Sequence, residues 1–443
     1  MTTHDIGSAE ALRTANLAFA ARYPGEAGAR QPVHTVYGGA QLFGPDAARK
    51  LGDVAQRALN EYAPDAATLG RALGIGEHPA LGTIYARVAD KLRREPVEDF
   101  RIDFEDGYGN RPNAEEDGHC VAVAEALATG MAQGTLPPFI GIRIKPLNEE
   151  LRARSTRTLA LVLTELVRRA GRLPDNFVVT VPKIVILEQV EFIVAELSRL
   201  EVELGLARGA LKFEVMVETP QIVLDWNGRS LLPRIPCVSD GRLTGAHFGT
   251  YDYTAGVNIT AAHQRMRHPA CDFAKHFMQV ALAGTGVWLS DGSTTVMPVP
   301  LHRGAVLSAA QHEANRASVH GAWKLHFDDI QHSLVGGFYQ GWDLHPAQLV
   351  TRYAALYAFF LDGIDAAAAR LSNFVGKAAQ ATLVGDVFDD AATGQGLLNF
   401  FLRGVNSGAI TEADAVSMTG LTVDELRGRS FLKVLGNRGA GTN

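Results

Sequence analysis

Eight short runs rich in β-branched and aromatic residues recur along the chain, and the stretches between them are long. The runs are 33–36, 100–104, 139–144, 177–184, 211–217, 243–248, 286–289 and 338–344, and consecutive runs end 31 to 68 residues apart. A βαβ unit needs about 30 residues or more, so each interval holds a crossover helix. Several intervals read as helices. Residues 45–63 place Ala48, Leu51, Val54, Ala55 and Leu59 on one apolar stripe, and 149–169 and 189–206 repeat the pattern. Strands alternating with helices argue for an α/β fold on a parallel sheet. Eight of them are the number of a closed (β/α)8 TIM barrel, whose chemistry sits where strands end and loops begin. A doubly wound open sheet is the structural alternative.

After about residue 350 the strand signals stop. Residues 353–371 are Ala-rich and apolar at helical spacing, and the patterns Thr411-x-x-Asp414 and Thr422-x-x-Glu425 read as helix starts. The expected organisation is a barrel over 1–350 and a helical extension over 351–443, with 437–443 frayed.

Charge and cysteine content narrow the function. Lys+Arg 42 against Asp+Glu 48 leaves a net charge of −6, and no basic block is present to meet a phosphate backbone. Nucleic acid is not an expected partner. The three cysteines, Cys120, Cys237 and Cys271, are far apart and form no Cys-x-x-Cys pair, so neither a disulfide framework nor a thiolate zinc site is indicated. No apolar run approaches the ~18 residues that span a bilayer, and no secretory leader pattern opens the chain. A cytoplasmic protein with no membrane association is expected.

Polar residues collect at the strand ends. The second run closes as Asp103-Phe104-Glu105-Asp106-Gly107, where period-two alternation puts Asp103 and Glu105 on one face. Crowded carboxylates raise each other's pKa unless a cation or donors compensate, although a solvated loop or helix cap would look the same in sequence. The third run offers Arg143 and Lys145 on one face. Arg143 can grip a carboxylate bidentately, pair with the acids of the second run, or do both. The fourth ends in Pro182-Lys183, where a lysine can form a Schiff base. The fifth ends in Glu218-Thr219-Pro220, either a cap or a ligand. The sixth ends in Gly249-Thr250-Tyr251-Asp252-Tyr253, so Glu218 and Asp252 come from neighbouring strand ends and offer the oxygen ligands a hard cation such as Mg2+ takes.

Other signals carry less. His263, His268 and His276 do not share a helix face at the i, i+4 spacing of a zinc site. Gly284-Thr285-Gly286 precedes a strand and lacks the third glycine of a dinucleotide loop, so it reads as a turn. No P-loop and no Gly-x-Ser-x-Gly motif occurs.

Taken in order, the strand ends resemble the citrate lyase β-subunit-like, or HpcH/HpaI aldolase, family. The resemblance runs through Asp103 to Asp106, Ile142-Arg143-Ile144, Val181-Pro182-Lys183, Glu218-Thr219, Gly249 to Asp252 and Leu344-His345-Pro346-x-Gln348, and covers roughly residues 33–350. It is closest to a long branch marked by Glu105-Asp106-Gly107-Tyr108-Gly109. The resemblance implies a barrel of the phosphoenolpyruvate/pyruvate type that holds Mg2+, with Mn2+ as the alternative ion, through Glu218 and Asp252. It implies that Arg143, Gly249 and Thr250 bind substrate, and that Arg143, Glu105 and Asp106 serve catalysis. The implied reaction is carbon–carbon cleavage or formation next to a metal-stabilised enolate of a 2-oxo acid or acyl thioester. The substrate is then a small oxo or hydroxy acid or its coenzyme A thioester, and the protein a homo-oligomer. The general base is left open among Glu105, Asp106 and an acid from the C-terminal helices of the same or a neighbouring subunit. The rivals are a malate-synthase-like acyltransferase and a non-catalytic barrel serving as a partner protein.

Overall fold

The computed structural model describes residues 9–25, 29–376, 382–384, 387–389, 391–427 and 434. The segment 437–443, expected to fray, lies outside the described residues.

Eight parallel strands close into a barrel in sequence order: β1 (His34–Gly39), β2 (Asp99–Asp103), β3 (Phe139–Arg143), β4 (Phe177–Val181), β5 (Lys212–Val217), β6 (Leu243–Phe248), β7 (Trp288–Ser293) and β8 (Gln340–Asp343). The expected barrel is the observed one, and each strand coincides with or overlaps its sequence run. A helix α1 (Ala9–Arg22) precedes the barrel. Around it lie α2 (Ala47–Tyr62), α3 (Ala66–Leu73), α4 (Leu81–Arg94), α5 (Asn113–Gln133), α6 (Arg152–Ala170) and α7 (Leu187–Leu204). Between β5 and β6 the crossover shrinks to two single turns, α8 (Pro220–Val223) and α9 (Ile235–Val238). The ring is completed by α10 (Thr250–Gly256), α11 (Pro269–Leu282), α12 (Ala309–Val335) and α13 (Gln348–Leu361).

The strands are amphipathic in an unusual sense. In β2 and the residue after it, Phe100, Ile102 and Phe104 are buried in the apolar layer under the helices, while Asp99, Arg101 and Asp103 are buried as well. The second set fills the lumen: Arg101 reaches across from β2 to Thr180 of β4 (3.0 Å) and Glu214 of β5 (2.8 and 3.0 Å). Helix ends are set by local chemistry. Asp65 caps α3 by accepting from Thr68 N (2.7 Å), and Ser308 with Gln311 forms a capping box on α12. Gly134 ends α5 in the left-handed region (φ 65°), which turns the chain back toward β3.

Helix α13 packs on α12 and α4 and runs to Leu361. Gly363 (φ 66°) then breaks the long helix read over 353–371 into α13 and α14 (Ile364–Gly376). The extension continues with α15 (Ala391–Asn406), α16 (Glu412–Thr419) and α17 (Val423–Arg427). Thr411 and Thr422 cap the last two as the sequence suggests, accepting from Asp414 N (3.0 Å) and Glu425 N (3.1 Å). It also holds an antiparallel pair, β9 (Thr382–Val384) and β10 (Val387–Asp389), that no strand signal announced. The extension sits at the end of the barrel where strands begin. Arg403 of α15 donates to Gln31 Oε1 (2.5 Å), three residues before β1, and lines a cavity with Gly286 and Val287, just before β7.

Candidate active site

The opposite end, where the strands finish, carries the acidic cluster. Register places Asp103 of β2 beside Arg143 of β3. Arg143 donates from Nε to Asp103 Oδ1 (2.8 Å) and from Nη2 to Oδ2 (2.5 Å), a bidentate pair buried on both sides. Asp103 also accepts from the backbone of Glu105 (2.9 Å) and Gly107 (2.7 Å), so it moulds the acidic loop. Only Nη1 of Arg143 is left to face outward, toward Glu105 Oε2 (2.9 Å) and Asp106 Oδ2 (3.6 Å). The guanidinium lies over the rings of Tyr37 (4.8 Å) and Trp342 (5.5 Å), which themselves pack 4.2 Å apart. Burial alone would lower the Arg143 pKa, but Asp103 and Glu105 hold it well above its usual value.

Lys183, in the left-handed region at φ 52°, stands where the carboxylates converge. Its ammonium pairs with Glu105 and lies 3.6 Å from Asp106 Oδ2 and 3.7 Å from Asp252 Oδ2. Its backbone N–H donates to Glu218 Oε1 (2.7 Å). Burial would lower the Lys183 pKa, yet Glu105 and Glu218 raise it above that of a free lysine. Pairing with these carboxylates favours the ammonium form, which is not nucleophilic.

Glu218, one residue past β5, is buried. Burial pushes its pKa up to about 8, Glu105 and Asp252 add to the rise, and Lys183 and Arg143 oppose it. Burial also raises Glu105, with Arg143 and Lys183 pulling the other way. Gly249, directly after β6, is demanded by space: a Cβ there would fall 2.5 Å from Glu218 Cβ and 2.6 Å from Oε2. Thr250 is buried with its hydroxyl unpaired, and Asp252 projects exposed from the first turn of α10. Among the described residues no three His, Cys, Asp or Glu side chains form a ready metal cage. The donor set nevertheless fits a hard cation. Carboxylates following β2 and β6 surround the Lys183 ammonium, and Glu218, following β5, takes the backbone N–H of the same residue. Mg2+ takes one or two carboxylates and fills its remaining positions with water or substrate.

The model of one family, described as a domain of unknown function (DUF6986), matches residues 12–434. The chain belongs to the DUF6986 family. No curated protein matches it in sequence. Among solved structures, a citrate lyase from Burkholderia xenovorans LB400 is 18% identical, covers 88% of this chain and 96% of its own, and has a TM-score of 0.58. CitE from Mycobacterium tuberculosis, in complex with magnesium, acetoacetate and coenzyme A, is 14% identical over 89% of this chain and 100% of its own (TM-score 0.46). A Haloferax volcanii malate synthase in a magnesium/glyoxylate complex is 16% identical over 73% and 75% (TM-score 0.48). The first likeness establishes a shared barrel fold. The family match is to DUF6986 and not to HpcH/HpaI, so the resemblance read from the strand ends is met at the level of fold.

In this DUF6986 barrel, Arg143, Glu105, Asp106, Glu218, Gly249, Thr250 and Asp252 all lie at one end of the strands. Among the described residues no acid of the C-terminal helices joins them, α15 packing at the far end. Sequence reasoning missed Tyr37 and Trp342 as the bed of Arg143. Their signal was register: β1 and β8 are neighbours, and both rings fall near the strand ends. It also missed Lys183 as the central cation, since nothing in one sequence shows three carboxylates meeting on one amine.

Proposed function

We propose that this protein is a Mg2+-dependent carbon–carbon lyase or aldolase acting on a small 2-oxo or hydroxy acid or its thioester. The observation that carries the reading is that Glu105, Asp106 and Asp252 converge on the Lys183 ammonium beside Arg143 while Glu218 takes the Lys183 backbone N–H. Glu218 and Asp252 would hold the ion. When bound, Mg2+ supplies a Lewis acid for the oxygen on which enolate charge develops as the carbon–carbon bond breaks.

The protein's own groups have separable tasks. Asp103 takes two donors of Arg143 and fixes its plane, so a substrate carboxylate would bind at Nη1 by displacing Glu105 from it (2.9 Å). Tyr37 and Trp342 keep the guanidinium from swinging away. Glu105 is the proton carrier of this reading, because its raised pKa suits a group that takes the substrate's hydroxyl proton and returns it to carbon. Lys183, held as an ammonium, balances the cluster's charge.

The test is turnover of a panel of 4-hydroxy-2-oxo acids and 3-hydroxyacyl thioesters. Cleavage that EDTA abolishes, Mg2+ restores and Glu218→Ala removes is the expected result. Free thiol released from acyl-CoA and glyoxylate would replace this reading with the malate-synthase-like one. A borohydride-trapped adduct on Lys183 with indifference to EDTA would overturn it.

A further inference from the structure

Arg143 and Lys145 share one face of the third run, and the proposed reaction uses only the first of them. Lys145 lies two residues past β3 and is 7% exposed. Its ammonium donates to the carbonyl of Phe104 (2.6 Å), pairs with Glu116 Oε2 (2.8 Å) and sits 4.9 Å from the centre of the Tyr108 ring. A buried ammonium needs an opposite charge to offset its lost hydration. Glu116, buried in the first turn of α5, supplies it and is held from elsewhere: its Oε1 accepts from Thr158 Oγ1 of α6 (2.6 Å) and lies 3.2 Å from Arg154 Nε.

The Phe104 carbonyl belongs to the peptide unit that leads into Glu105. That unit is planar, so its carbonyl and its N–H turn together. Lys145 holds the carbonyl, and Asp103 Oδ1 accepts from the N–H (2.9 Å). Rotation of the plane would break two charge-assisted hydrogen bonds, each roughly twice as strong as a neutral one. On the far side of Glu105, its own carbonyl accepts from Tyr108 N (3.1 Å) and Gly109 N (2.8 Å). The Glu105 backbone is thus gripped on both sides, with the carboxylate directed at Arg143 Nη1 (2.9 Å) and Lys183. A lysine that only joined β3 to α5 would need Glu116 alone.

We propose that Lys145 is a positioning residue for Glu105, aiming its carboxylate at the reacting end through the Phe104 carbonyl. The inference rests on the proton-carrier task given to Glu105 above.

Lys145→Met alone would strand buried Glu116, so the test is the full-length Lys145→Met/Glu116→Gln protein, in which Arg154 keeps its pair with Asp117 (2.7 Å). Amide exchange of the metal-free protein should accelerate at least about tenfold over residues 104–109 and stay unchanged over 99–103 and 139–143. On any substrate that the wild type cleaves, kcat should fall at least about tenfold while KM does not rise, because Glu105 leaves Arg143 Nη1 to the substrate. Wild-type exchange over 104–109, acceleration shared by the two strands, or an unchanged kcat would each overturn the proposal. A wild type that cleaves nothing in the panel sinks the lyase reading, and exchange alone then decides whether Lys145 holds the loop.

Discussion

The barrel encloses two clusters of charge, one at each end, and they are built to opposite rules. Toward the strand starts, Asp99 and Glu214 meet Arg101 and His247. Arg101 pairs with both acids, and His247 Nε2 lies 2.8 Å from Glu214 Oε2. Burial would raise Glu214, but Arg101 and His247 hold it below the usual carboxylate range. Toward the strand ends, Asp103, Glu105, Asp106, Glu218 and Asp252 face only Arg143 and Lys183, and Glu218 is pushed the other way, to about 8. In the first cluster each carboxylate has close partners in the lumen, Asp99 with Arg101 and Thr35 and Glu214 with Arg101 and His247, although burial raises Asp99. The second gathers five carboxylates about two cations, and its buried Glu218 is the one raised to about 8.

The largest expected effect separates the clusters by stability. Arg101→Met strands two buried carboxylates and should destabilise the protein by about 3–5 kcal/mol in urea unfolding. Glu218→Gln removes a buried charge that opposes folding, so the metal-free protein should unfold no sooner, while turnover falls at least ~100-fold.

The pH dependence of stability should be opposite for Glu218 and Glu214, while Asp99, raised by burial beside Glu214, follows the sign of Glu218. The folded pKa of Glu218 lies above its ordinary value, so its ionisation costs stability progressively from about pH 4.5 to about 8. Glu218→Gln should therefore gain on wild type as pH rises through that window when EDTA is present, and Mg2+ should erase the gain. Glu214 is depressed, so its contribution is present above the ordinary carboxylate pKa and is lost as pH falls through its folded value. Glu214→Gln should lose stability at pH 7, and the gap should close in acid. Equal pH slopes for the two variants in thermal melts would erase the distinction.

A smaller effect tests the close approach of β6 to Glu218. Gly249→Ala puts a methyl against the carboxylate, so Mg2+ affinity should fall about tenfold, at a cost of about 1–3 kcal/mol in melting experiments. The smallest belongs to Tyr37→Phe. The hydroxyl has one weak contact, 3.8 Å from Met216 Sδ, so removal should change stability by less than ~0.5 kcal/mol and leave KM unaltered, the ring being what supports Arg143.

Much of this was legible in one sequence because it is local. Period-two runs at regular intervals sufficed for eight strands, whereas each strand-end acid read alone equally well as a loop or a helix cap, and only their ordered series pointed to a site. What was not legible depends on register and closure. Arg143 commits two of its donors to Asp103 because β2 and β3 align those residues, and no spacing in the chain states that alignment. The cluster of Asp99, Arg101, Glu214 and His247 was invisible for the same reason, its members coming from three strands. The C-terminal helices were placed correctly as an extension, but which end of the barrel they cover follows from tertiary contacts such as Arg403 with Gln31. No helix among the described residues is long and apolar enough to cross a membrane, as the hydropathy suggested.

The most direct test is calorimetric titration of Mg2+ into wild-type protein, Glu218→Gln and Asp252→Asn at pH 8. One ion per chain in the wild type, with affinity at least tenfold weaker in each variant, is the predicted result. Isotherms that superimpose for all three proteins would contradict the account.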